Sequence, residues 1–64
     1  MEYVRVDRKS NTIHIKLVNG DVEWTYSIKN RHGIVLLDVD KDGNLLNIEL
    51  VLNTHIKIPE IEEG

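Results

Sequence analysis

The chain contains no cysteine, no phenylalanine and a single proline. Without thiols it can form no disulfide and can offer no thiolate to a metal or a substrate. A secreted domain of 64 residues would ordinarily carry such cross-links, so the expectation is an intracellular, cytoplasmic protein. No apolar run approaches the roughly 20 residues that cross a bilayer. The opening MEYVRVDRK alternates and carries charge, unlike a signal peptide. An excess of basic residues is also lacking. The net charge of −3 argues against a general affinity for nucleic acid or anionic membrane. Charge is unevenly spread, with six Lys/Arg against four Asp/Glu in residues 1–32 and two against seven in 33–64.

What is present is alternation. Apolar and polar residues exchange with a period of two along most of the chain, and no window holds helical spacing for more than about a turn. The pattern predicts strands over 3–7, 12–18, 21–28, 34–40 and 44–52, rich in the β-branched residues that suit a pleated surface. The fold expected is all-β: an antiparallel meander of about five strands in one sheet, with residues 1–58 as a single domain. Pro59 stops strand pairing, so 55–58 is expected to add a short strand or dock over the sheet, and 59–64 to form a mobile tail.

Two hairpins are predicted in detail. Asn19-Gly20 between alternating runs specifies a two-residue type I′ turn, because both positions tolerate positive φ. That register sets Leu17 against Val22, Ile15 against Trp24 and Ile13 against Tyr26. Lys16 and Glu23, and His14 and Thr25, then meet on the opposite face. In the second hairpin, Asp42-Gly43 as the turn sets Val39 against Leu46, Leu37 against Ile48, Val35 against Leu50 and Asp38 against Asn47. A three-residue loop with Gly43 at a bulge competes, and shifts the register by one.

The same stretch, DVDKDGNLLNIE (38–49), satisfies a calcium-loop signature. Asp38, Asp40 and Asp42 take its first, third and fifth places, Gly43 the sixth and Glu49 the twelfth. A loop of that kind is held by a helix on each side, whereas HGIVLL and LVLNTH both read as strand, and Leu46 puts hydrocarbon at the ninth place. The structural hairpin is therefore the leading expectation. A weak divalent-metal site on Asp38, Asp40 and Asp42 is the alternative.

The chain resembles a family of short bacterial and archaeal proteins catalogued only as a domain of unknown function. Two segments carry the likeness: VRVDRKSNTIHIKL (4–17) and GIVLLDVDKDGNLLNIELV (33–51), with Asp38, Asp40, Asp42-Gly43 and Ile48-Glu49 as landmarks. The family typically has Tyr at the place of Val6, Asp at Asn11, Tyr at His14 and Gly at Asn47. The resemblance implies a small β-sheet protein and no activity. Some members sit beside small toxin-like partners, which implies an antitoxin-type or binding role.

Catalytic groups are sparse. Ser10 and Ser27 have no base at a spacing that would activate a hydroxyl. His14, His32 and His55 fall on different predicted elements, whereas a zinc site needs three or four converging ligands, so they read as solvated or capping histidines. No enzyme activity and no cofactor are expected. A basic patch of Arg5, Arg8, Lys9, His14 and Lys16 is the third and weakest reading. Trp24 and Tyr26 fall on the other face, away from any stacking role beside those cations.

The apolar face is the sequence's main demand. Val4, Val6, Ile13, Ile15, Leu17, Val22, Trp24, Tyr26, Ile28, Val35, Leu37, Val39, Leu46, Ile48 and Leu50 are all predicted to point one way. Five strands of this length present roughly 570 Å² of flat surface, more than a stable monomer leaves bare. Either the sheet curls over its own small core, or two chains stack face to face. The expected function is a non-enzymatic interaction module, a homodimer or other homo-oligomer with a possible protein partner. Ile15, Leu17, Val22, Trp24, Tyr26, Val35, Leu37, Ile48 and Leu50 form its core or self-association face.

Overall fold

Among the described residues alternation does produce five strands and no helix. A computed structural model of the chain describes residues 1–60. The strands are β1 (Tyr3–Asp7), β2 (Thr12–Lys16), β3 (Trp24–Asn30), β4 (Gly33–Val39) and β5 (Leu45–Leu52), paired antiparallel in one sheet. Their order is β1-β2-β5-β4-β3, which corrects the expected meander. Strands β3, β4 and β5 follow one another by tight turns, and β2 lies beside β5 in a Greek-key arrangement. The segment 55–58, expected to add a short strand or to dock over the sheet, forms no strand. The expected mobile tail lies outside the described residues from 61 onward.

The Asn19-Gly20 hairpin is overturned. Neither residue takes positive φ, and β2 does not turn back on itself. Beyond Lys16 the backbone N–H groups of Leu17 and Val18 both donate to the Leu46 carbonyl, at 2.9 and 3.4 Å. Residues 17–23 then cross the ends of β5 and β4 to reach the far edge. Gly20 serves this crossing by its lack of a side chain, since a Cβ there would come within 2.9 Å of the Leu46 side chain. The strand order has a physical cause. LLNIELVL and GIVLLDV are the most apolar strands, and the centre of the sheet shelters both of their edges. YVRVD and WTYSIKN, with more polar and charged residues, take the edges, where open backbone groups meet water.

The β4–β5 hairpin combines both predicted registers. Asp40 N–H donates to the Asn44 carbonyl at 3.0 Å, and Gly43 N–H donates to the Asp40 carbonyl at 3.1 Å. Lys41-Asp42-Gly43 is thus a three-residue loop, with Gly43 at φ 82°. The loop shifts the register, so Val39 meets Leu45. A bulge that leaves Leu46 unpaired then shifts it back, and Asp38–Asn47, Leu37–Ile48 and Val35–Leu50 pair as the two-residue turn predicts. The two irregularities cancel, and the alternation of β5 stays in phase with that of β4. At the other end of the sheet a two-residue turn, Arg31-His32, joins β3 to β4. Gly33 follows at φ 152°, where a Cβ would collide with the Val51 carbonyl.

The pairings collect the apolar side chains into cross-strand rows. One row runs Val4, Ile15, Ile48, Leu37, Tyr26, and the next runs Val6, Ile13, Leu50, Val35, Ile28. Trp24 and Val39 begin a third. The sheet does not close into a barrel, because among the described residues β1 and β3 remain unpaired edges. The molecule measures 36 × 30 × 15 Å, and its radius of gyration is 12.6 Å. A compact chain of this length would reach about 10.7 Å.

Among the described residues two apolar side chains are buried, Leu46 at 2% exposure and Ile58 at 3%. Leu46 is the bulged residue beneath the 17–23 crossing. Ile58 belongs to the segment after β5, which clamps onto the β1–β2 turn. The Arg8 guanidinium donates to the carbonyls of Ile58 and Pro59. The Asn11 amide donates to those of Leu52, Asn53 and Ile56 at 3.2, 2.9 and 2.9 Å. Asn11 itself sits in the left-handed region, at φ 58°, where Asn is among the few residues other than glycine found routinely.

Candidate functional site

The predicted self-association residues divide into two groups. Ile15, Trp24, Tyr26, Val35, Leu37, Ile48 and Leu50 lie on strands and share one side of the sheet. Leu17 and Val22 are predicted to pair with each other but instead lie at the two ends of the crossing. Exposure grades across the face. On β2, β4 and β5 the apolar residues are half-buried, while on edge strand β3 Trp24 is 61%, Ile28 58% and Tyr26 55% exposed. Val18 and Val22, in the crossing, are also exposed. The rings of Trp24 and Tyr26 sit 6.4 Å apart and tilted by 59°. The bare patch therefore centres on β3, with the half-buried rows continuing inward from it.

The opposite face is mainly polar and internally paired, with Ile34, Leu36 and Val51 as apolar residues among its rows. Arg5, His14, Glu49, Leu36 and Ser27 form one row, and Tyr3, Lys16, Asn47, Asp38 and Thr25 another. Tyr3 meets His14 edge-on at 5.4 Å, and the Arg5 guanidinium carbon lies 5.0 Å from the centre of the Tyr3 ring. Arg8, assigned by sequence to the basic patch, is turned to the 58–59 carbonyls. Carboxylates of Glu49 and Asp38 interleave with the remaining cations across the sheet, so this face presents no continuous positive track for a phosphate backbone.

Asp38, Asp40 and Asp42 are not gathered into a metal-binding group. Among the described residues no cluster of three or more His, Asp or Glu side chains could hold a metal ion. The Asp40 carboxylate is committed to its own turn. It accepts from the backbone N–H groups of Asn44 and Asp42, both at 2.9 Å, and from the Asn44 side-chain amide at 3.1 Å. These donors, the Asn44 N–H foremost, hold its carboxyl below the usual carboxylate range. Asp38 accepts instead from the Thr25 hydroxyl at 2.7 Å and the Asn47 amide at 3.3 Å. At the β1–β2 turn Asp7 plays the part Asp40 plays in its loop. It accepts from the N–H groups of Ser10 and Lys9, and the Ser10 N–H is the main cause of its lowered pKa.

One pairing has no counterpart in the sequence pattern. His32, in the β3–β4 turn, and His55, beyond β5, lie with Nδ1 and Nε2 3.1 Å apart. They are 23 positions apart in the chain, and no local spacing signals their meeting. The signal would have been the topology, which brings the β3–β4 turn and the end of β5 to the same end of the sheet. Compared with protein-family models, curated proteins and solved structures, the chain finds no match.

Proposed function

We propose that the chain is a non-enzymatic interaction module that works as a homodimer, two copies stacking apolar face on apolar face. The observation that carries this reading is a single five-stranded sheet that gathers most of its apolar side chains on one side, where Trp24, Tyr26 and Ile28 of edge strand β3 are more than half exposed. Area supports it. The chain exposes 5158 Å², whereas a compact monomer of 7.4 kDa would expose about 4200 Å². The excess of about 950 Å² is close to the roughly 800 Å² that each partner gives to a stable interface. Trp24 and Tyr26, large and bare on β3, are the residue types that anchor such contacts. The polar face and the outer edge of β1 stay free in such a dimer. They are where a protein partner would dock, in keeping with the antitoxin-type role that the family resemblance implies.

Light scattering after size exclusion tests the assembly. The expected mass at micromolar concentration is twice the 7.4 kDa chain. Trp24, the one tryptophan, should shift its emission to the blue as the chains pair. A monomer at that concentration, with fully solvated Trp24 emission, refutes the reading.

A further inference from the structure

We propose that His32 and His55 form a two-histidine chelate for a borderline divalent cation such as zinc. Imidazole nitrogens bound to one tetrahedral zinc, each about 2.0–2.1 Å from it, stand about 3.3 Å apart. His32 Nδ1 and His55 Nε2 already stand 3.1 Å apart, their ring centres 5.4 Å from each other. The spacing is therefore close to the one a shared ion needs; the hydrogen bond points the two ring nitrogens at each other, and a modest rotation of the rings turns both lone pairs onto the ion.

The backbone keeps it so. His32 N–H donates to the Asn30 side chain at 2.8 Å, and His55 N–H to that of Asn53 at 3.3 Å. Asn53 N–H donates in turn to the His32 carbonyl at 2.8 Å, tying the two turns together. Both rings are exposed, so an ion has access, and two coordination positions remain for water or an added ligand. Imidazole nitrogen selects zinc, copper and nickel over calcium and magnesium, which take oxygen. The site differs in place and in ligand type from the acidic hairpin at 38–43.

Arg31 opposes the ion. Its Nε–H donates to His32 Nε2 at 3.3 Å. That bond places the His32 proton on Nδ1, where it is donated to His55 Nε2. Metal binding moves this proton to Nε2, costing the Arg31 bond, and brings a cation near the guanidinium. Arg31 thus sets how tightly the pair binds. The inference does not depend on dimerisation.

The test is a titration of the full chain with zinc chloride. It is followed by calorimetry and by the imidazole nitrogen resonances, with calcium chloride as the oxygen-seeking control. One zinc per chain is expected, with the His32 and His55 resonances shifting together, His14 unmoved and no response to calcium. His32→Ala and His55→Ala should each weaken binding by about tenfold or more, because a chelate loses its second contact. His14→Ala should leave affinity unchanged, and Arg31→Ala should tighten it. All these positions are exposed or half-buried, and circular dichroism checks that each variant keeps its sheet. No saturable binding, a shift at one histidine alone, or equal affinity in either His32→Ala or His55→Ala overturns the proposal.

Discussion

Replacing Trp24 by aspartate should leave a folded chain that no longer pairs. Trp24 begins the edge strand and is 61% exposed, so most of its surface does nothing for the monomer. A tryptophan offers up to roughly 250 Å², which leaves about 150 Å² for a second chain to cover. At about 25 cal/mol per Å² that is worth about 4 kcal/mol per protomer. A two-fold interface uses the residue twice. Association costs absorb part of the total, and aspartate adds a charge that must be desolvated against hydrocarbon. A loss of at least about 4 kcal/mol in all, roughly a thousandfold in Kd, is the expected outcome. Sedimentation velocity over a concentration series reads the mass, and far-ultraviolet circular dichroism reads the sheet. A Trp24→Asp protein that dimerises as tightly as the parent would sink the face-to-face arrangement. An unfolded one would show that Trp24 holds the chain itself together.

Three further perturbations probe the fold. Leu46→Ala empties a buried site and should cost about 2–5 kcal/mol in urea unfolding at fixed chain concentration. Leu46→Met should cost under about 1.5 kcal/mol. Asn11→Gly removes the clamp on the three carbonyls but keeps the left-handed backbone, whereas Asn11→Ala loses both, so the alanine variant should be the less stable by about 1 kcal/mol. Asp7 and Asp40 have lowered pKa values in the folded chain. Their contribution is therefore fully present above the ordinary carboxylate value of about 3.9 and is lost as pH falls through the lowered folded values. Unfolding curves from neutral to acid pH should show that loss. Asp40→Asn should flatten it while lowering stability at neutral pH; an unchanged acid limb would mean that the turn does not depend on the charged form of Asp40.

Strand character, the single apolar side and the β4–β5 partnership followed from the sequence alone. Alternation is a property of neighbours: a run with period two has one buried face wherever it is placed, so the Val35–Leu50 and Leu37–Ile48 pairs were legible in the residue pattern itself. The Gly43 loop was legible too, because few other residues accept its φ. The order of the strands was not. Asn19-Gly20 favours a local turn, but the hydrogen bonds of Leu17 and Val18 to Leu46, and the shelter a central position gives to β5, act between segments far apart in the chain. Those long-range terms outweighed one favourable dipeptide and sent β3 to the far edge. The same decision left Trp24, Tyr26 and Ile28 bare, buried the bulged Leu46 under Gly20, and brought His32 to His55. Tertiary structure alone could decide these, because each depends on which strands share an edge, and no stretch of sequence a few residues long encodes that.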